Sequence, residues 1–93
     1  MAIAVVMDFE GATLEQYDQI CASMGLTPGG ALPPGAISHW VTKTDTGIRV
    51  TDVWESREQF DAFAQKEIGP KSAAAGVTAA PQTAFYDVHN YFK

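Results

Sequence analysis

Apolar and polar positions divide the chain into short blocks. Residues Ala2 to Phe9 form an apolar run rich in Ile and Val, stopped by Glu10-Gly11, which reads as a buried strand. Thr13 then opens a helix: its hydroxyl can cap the first turn, and Gln16 three positions on can complete a capping box. Leu14, Tyr17, Ile20 or Cys21, and Met24 recur at helical spacing, so one face is apolar, and Gly25 ends the helix in a left-handed conformation. Leu26 to Ala36, rich in proline and glycine, excludes helix and central strand and reads as an ordered loop crossing the end of the sheet.

Two further strand-like runs, Ile37 to Lys43 and Ile48 to Glu55, flank Thr44-Asp45-Thr46-Gly47, a hairpin signal with glycine where a positive φ is wanted. Ser56 repeats the helix-start chemistry with Gln59, and Phe60, Phe63, Ala64 and Ile68 form the buried stripe of that helix. Gly69-Pro70 must break or kink it, with Pro70 suited to the first turn of a continuation through Ala73-Ala74-Ala75 to Gly76. After a loop, Ala84 to Phe92 reads as a last, aromatic-rich strand.

The order is β-α-β-β-α-β, in one domain spanning residues 1–93. Right-handed crossovers then set both helices on one face of an antiparallel sheet of order 4-1-3-2, a ferredoxin-like α+β fold. Adjacent apolar pairs such as Val5-Val6 and Val53-Trp54 break the alternation expected of a half-wet sheet. They predict a sheet covered on both sides, by helices on one and by a second copy of the chain on the other.

Composition narrows the partners. The net charge is −5, and the six basic residues are scattered, which speaks against nucleic acid and against an anionic membrane surface. The single cysteine, Cys21, excludes an intramolecular disulfide and a cysteine-based metal cage. Met1 to Met7 is too short for a signal sequence or membrane span, so the expectation is a cytoplasmic homodimer.

Several segments carry a resemblance over nearly the whole chain: Thr13-Leu14-Glu15-Gln16-Tyr17-Asp18, Pro34-Gly35-Ala36-Ile37-Ser38-His39, and Gly47-Ile48-Arg49-Val50-Thr51-Asp52-Val53-Trp54-Glu55-Ser56, followed by Phe60 and Phe63. In spacing and order these resemble the dimeric α+β barrel proteins related to antibiotic biosynthesis monooxygenases. The resemblance implies two sheets paired into a barrel and a small-molecule pocket between sheet and helices in each subunit. Members include cofactor-free oxygenases of aromatic polyketides, haem-degrading enzymes and cyclases, and fold membership does not choose among them. Haem-degrading members use an Asn on the first strand, which is missing from Ala2 to Phe9.

His39 and Asp52 are the leading chemical pair. A two-residue turn at Asp45-Thr46 sets His39 opposite Asp52, on one face with Val41, Val50 and Trp54. A carboxylate there fixes the imidazole tautomer and raises its basicity, as a general base requires. A three-residue loop with a glycine bulge puts His39 opposite Val53 on the other face instead. The plain alternative is a buried structural hydrogen bond between strands. Trp54 reads as core or as a pocket wall, Trp40 as interface on the opposite face, and Cys21 as a small core residue.

Tyr17 and Phe63 are placed to reach a pocket from the helices, and Tyr86 and His89 are the last strand's candidates for binding substrate. No bound cofactor is expected, and two distant histidines make a poor metal site. Three functions remain open on these residues: an enzyme or binder acting on a partly aromatic small molecule, with His39 as base; a non-catalytic ligand-binding dimer; and an accessory subunit of a larger enzyme.

Overall fold

A computed structural model describes residues 1–92. The elements run β1 (Ile3–Glu10), α1 (Leu14–Ser23), β2 (Ala36–Lys43), β3 (Gly47–Trp54), α2 (Arg57–Phe63), a wide π turn (Ala64–Ile68), α3 (Gly69–Ala74) and β4 (Gln82–Asp87). The four strands form one sheet of order β2-β3-β1-β4 with antiparallel neighbours. This is the ferredoxin-like α+β topology that the element order predicts.

Side-chain alternation divides the sheet. Ile3, Val5, Met7 and Phe9 of β1 and Ile48, Val50 and Trp54 of β3 form the core, with Val5 and Trp54 almost fully enclosed. Phe60 of α2 meets the Trp54 indole edge-on at 5.7 Å, and the Phe63 ring lies 5.3 Å from it. On the other face the register aligns Trp40, Thr51, Val6 and Ala84 in one row and Ser38, Val53, Ala4 and Tyr86 in the next. Trp40 and Tyr86 are half-exposed or more on that face.

Helix ends follow their sequence signals, with one departure. Thr13 and Gln16 make the full capping box: the Gln16 N–H donates to Thr13 Oγ1 at 3.1 Å and the Thr13 N–H to Gln16 Oε1 at 3.0 Å. Gly25, at φ +74°, carries the left-handed turn, with the Leu26 N–H donating to the Cys21 carbonyl at 2.9 Å. At α2 the box is half made. The Gln59 N–H donates to Ser56 Oγ, but the Gln59 side chain accepts from the Ser56 hydroxyl through Oε1 and donates through Nε2 to Glu55 Oε2.

Four further expectations are corrected. The second helix breaks earlier than Gly69-Pro70, by widening over Ala64–Ile68. Pro70 has no N–H and its ring clashes with a carbonyl one turn back, so a π turn ahead of it re-registers the chain. Gly47 does not have a positive φ. It is needed for space, because a Cβ there would lie 2.0 Å from the Phe9 carbonyl oxygen where the hairpin end closes on β1. The strand expected from Ile37 begins at Ala36, which pairs with Trp54 across a bulge between Ala36 and Ser38. The last strand is Gln82–Asp87 and stops short of His89 and Tyr91. Ile3 and Ala2, at the start of β1, mark the end of the ladder available to it, with the Val88 N–H donating to the Ala2 carbonyl.

Candidate functional site

The β2–β3 hairpin closes on Asp45-Thr46, with the Thr44 N–H donating to the Gly47 carbonyl at 2.9 Å. This register sets Lys43 against Ile48, Val41 against Val50 and His39 against Asp52. Of the two turns the sequence allows, the two-residue one is observed.

His39 and Asp52 meet on the helix-facing side, where a linear network forms. The His39 Nδ1–H donates to Asp52 Oδ1 at 2.5 Å, and the Trp54 Nε1–H donates to Asp52 Oδ2 at 3.1 Å. Asp52 is a buried carboxylate, and its side chain is 7% exposed against 30% for His39. Burying an anion costs several kcal/mol unless it is hydrogen-bonded, and here each carboxylate oxygen has a donor. Asp52 and Trp54 share a face two positions apart on β3, so strand period alone makes the second bond reachable.

With Nδ1 protonated by its bond to Asp52, Nε2 is the imidazole's free acceptor. The Tyr17 hydroxyl fills it, donating to His39 Nε2. The two rings lie parallel, 8° apart, with centroids 5.9 Å apart. Burial pushes the Tyr17 phenol well above its ordinary range, a hydrogen bond to the Cys21 side chain acts in the same direction, and the Asp52 and Asp18 charges add to it. The thiol is a weak acceptor beside an imidazole nitrogen, so His39 is the stronger partner. Tyr17 therefore stays neutral across the physiological range.

This network stands at the wall of a cavity of about 1040 Å³ between the sheet and α1. Met7, Phe9, Val50, Trp54 and Phe63 form its floor and side, and Tyr17, Ile20 and Cys21 of α1 form its roof. No residue of α1 is fully buried: its apolar stripe faces this space instead of packing tightly on the strands. The volume lies at the upper end of the range for drug-sized ligands, and a lining of mainly apolar residues with a few convergent polar groups is typical of small-molecule sites. No lysine or arginine lines it, so nothing there counters a phosphate or carboxylate.

The structure thus brings Tyr17, His39, Asp52, Trp54 and Phe63 together at one cavity. Tyr86 and His89 are not part of it. Tyr86 pairs with Ala4 on the outer face of the sheet and is 61% exposed, and His89 is exposed beyond the end of β4. The sequence reading also missed the wall that Met24 to Pro33 contributes. Its signal was the presence of Leu26, Ala31 and Leu32 among the prolines and glycines, an unusual apolar content for a solvated loop. Among the described residues no three His, Cys, Asp or Glu side chains converge as a metal site would require, and no helix is long and apolar enough to cross a membrane.

Fold and cavity together define a ferredoxin-like α+β domain with a large, mainly apolar cavity between sheet and helix. Solved structures share that fold over nearly the full chain. SnoaB, a cofactor-independent oxygenase from Streptomyces nogalater, is 16% identical at a TM-score of 0.62, covering 97% of this chain and 94% of its own. A Deinococcus radiodurans protein named for the antibiotic biosynthesis monooxygenases is 12% identical at a TM-score of 0.59, covering 100% and 97%. The ActVA-Orf6 monooxygenase of Streptomyces coelicolor, solved with nanaomycin D, is 17% identical at a TM-score of 0.53, covering 99% and 90%. No protein-family model and no curated protein matches the chain. The resemblance carried by the sequence therefore holds at the level of the fold.

Proposed function

We propose that this protein binds a partly aromatic small molecule in the cavity under α1 and acts on it as a cofactor-independent monooxygenase or related enzyme, with His39 as base. The observation that carries the proposal is the Asp52–His39 bond at the wall of a largely apolar cavity. Asp52 holds the imidazole in the tautomer whose Nε2 accepts a proton and stabilises the imidazolium that results. An electron-rich phenol that loses its proton to this base becomes an anion able to reduce dioxygen directly. In an anthrone the sum is the ring CH₂ plus O₂ giving the ring carbonyl plus water. SnoaB, whose fold this chain shares, is itself a cofactor-independent oxygenase.

In this reading the protein is a cytoplasmic homodimer. The outer sheet face, with Trp40 and Tyr86 exposed beside Val6 and Ala84, supports a second copy as its cover.

The test is oxygen uptake with 1,8-dihydroxyanthrone, a tricyclic probe that the cavity is large enough to hold. Wild-type protein is expected to accelerate uptake and His39→Ala to lose that acceleration while staying folded. Uptake retained by His39→Ala excludes the base. One feature favours a second reading, a non-catalytic ligand-binding dimer: both imidazole nitrogens are already engaged. Tight binding of the probe with no oxygen uptake by the wild type decides for it.

A further inference from the structure

The His39 imidazole has no lone pair left for a ligand. Nδ1 carries a proton and donates it in a hydrogen bond to Asp52, and the single lone pair of Nε2 accepts from the Tyr17 hydroxyl. A substrate proton can reach His39 only by displacing Tyr17 or by passing through it. Displacement would require Tyr17 to give up its bond to His39 and its ring contacts. Its ring is stacked on the imidazole and packed against the core. Its helix is held just before Tyr17, by the Thr13–Gln16 capping box and by Gln16 Nε2 donating to the Ala75 carbonyl at 3.5 Å. Passage requires only the remaining acceptor capacity of the phenol oxygen, on a residue that lines the cavity.

We propose that the Tyr17 hydroxyl is the group that meets the substrate, and that it relays the substrate proton to His39. The substrate O–H bond breaks as its proton passes to the Tyr17 oxygen. The Tyr17 O–H bond breaks as that proton passes to His39 Nε2. The products are a substrate anion, a neutral Tyr17 that now donates a hydrogen bond to it, and an imidazolium beside the Asp52 carboxylate. Tyr17 is never required to hold a charge, which accords with a phenol that burial makes hard to ionise. The network is then a four-membered line: Tyr17 in contact with substrate, His39 storing the proton, and Asp52 and Trp54 positioning His39.

This inference rests on His39 being the base, and the experiment separates the two. Steady-state oxygen uptake with 1,8-dihydroxyanthrone is measured for wild type, His39→Ala and Tyr17→Phe, with thermal melts as a check on folding. Tyr17→Phe keeps the ring and its stacking and removes only the hydroxyl. The relay predicts that kcat falls by about 10²-fold or more in Tyr17→Phe, with KM changed only a few-fold. If Tyr17→Phe matches or exceeds the wild-type kcat while His39→Ala is inactive, His39 meets the substrate directly and the relay is wrong. If His39→Ala is active, or the wild type takes up no oxygen, the base reading fails and the relay with it. If Tyr17→Phe does not melt cooperatively, Tyr17→3-fluorotyrosine replaces it, altering the acidity of the phenol at almost constant shape. An unchanged kcat in that variant overturns the relay.

Discussion

Asp52→Asn probes the centre of the network, because it changes chemistry at nearly constant shape. In the native protein the two carboxylate oxygens accept from His39 Nδ1–H at 2.5 Å and Trp54 Nε1–H at 3.1 Å. An asparagine has one oxygen to offer two donors. The better arrangement gives that oxygen to the indole, because Trp54 can only donate, and turns the amide NH₂ toward His39. Two N–H groups then face one another unless the imidazole proton moves to Nε2. The variant therefore folds with the opposite tautomer, and Nε2–H points at Tyr17.

On stability, two charge-assisted bonds worth roughly 1.5–3 kcal/mol each become neutral ones worth about 1 kcal/mol each. Removing a buried anion returns a large part of that difference. The net loss is expected at about 1 kcal/mol, or about 4–8 °C in Tm for a domain of this size. On function the proposed role of His39 predicts a far larger loss: a base with its lone pair on the wrong nitrogen forfeits general-base catalysis, about 10²–10⁴-fold in kcat. Thermal melting, oxygen uptake with the anthrone probe, and ¹⁵N shifts of the His39 ring check the three statements. A variant that melts normally, keeps its proton on Nδ1 and retains turnover within a factor of three refutes the reasoning.

Other perturbations separate packing from charge. Trp54→Phe keeps a ring in the aromatic cluster but removes the donor to Asp52 Oδ2. It should cost about 1–3 kcal/mol in denaturant unfolding; an unchanged midpoint would show that bond to be dispensable. Gly47→Ala places a Cβ against the Phe9 carbonyl oxygen and should destabilise by about 1–3 kcal/mol, visible as a lowered Tm; a neutral effect would mean the hairpin end yields freely. On the outer face, the Arg49 guanidinium hydrogen-bonds Asp8 and holds its carboxyl below the ordinary value. A lowered folded-state pKa gives stability that is present above the unfolded value and lost as pH falls through the folded one. Asp8→Asn should therefore flatten the decline of stability below about pH 4, and an identical acid melting profile would count against that pair. Trp40→Glu puts a charge on edge strand β2 of the outer face, so the proposed homodimer should sediment as a monomer in this variant; unchanged sedimentation would count against that face as the interface.

Strand and helix identity lay in local patterns. The Ile/Val run of β1, the Thr13–Gln16 box and the Gly25 stop are each read within a few residues; the box and the stop are also satisfied by bonds that span only a few residues, whereas β1 finds its ladder partners in the distant β3 and β4. That locality is why they were legible. The shared face of Asp52 and Trp54 was legible for the same reason, as a consequence of strand period. Where a feature depended on two distant segments meeting, the sequence left alternatives. The pairing of His39 with Asp52 rested on one residue of turn length, and closure of the hairpin on Asp45-Thr46 decided it. Gly47 was expected for its φ and is required for its missing Cβ, because β1 passes beside it. The π turn answers to Pro70 several residues away. The Tyr17–His39 bond joins α1 to an edge strand across a cavity whose existence no local pattern records. Composition and periodicity by themselves determined the βαββαβ order and the candidate pair. Only the tertiary structure decided that His39 faces inward, that Tyr17 closes its second nitrogen, and that Tyr86 and His89 stand apart, because those facts depend on register and on the space left between layers.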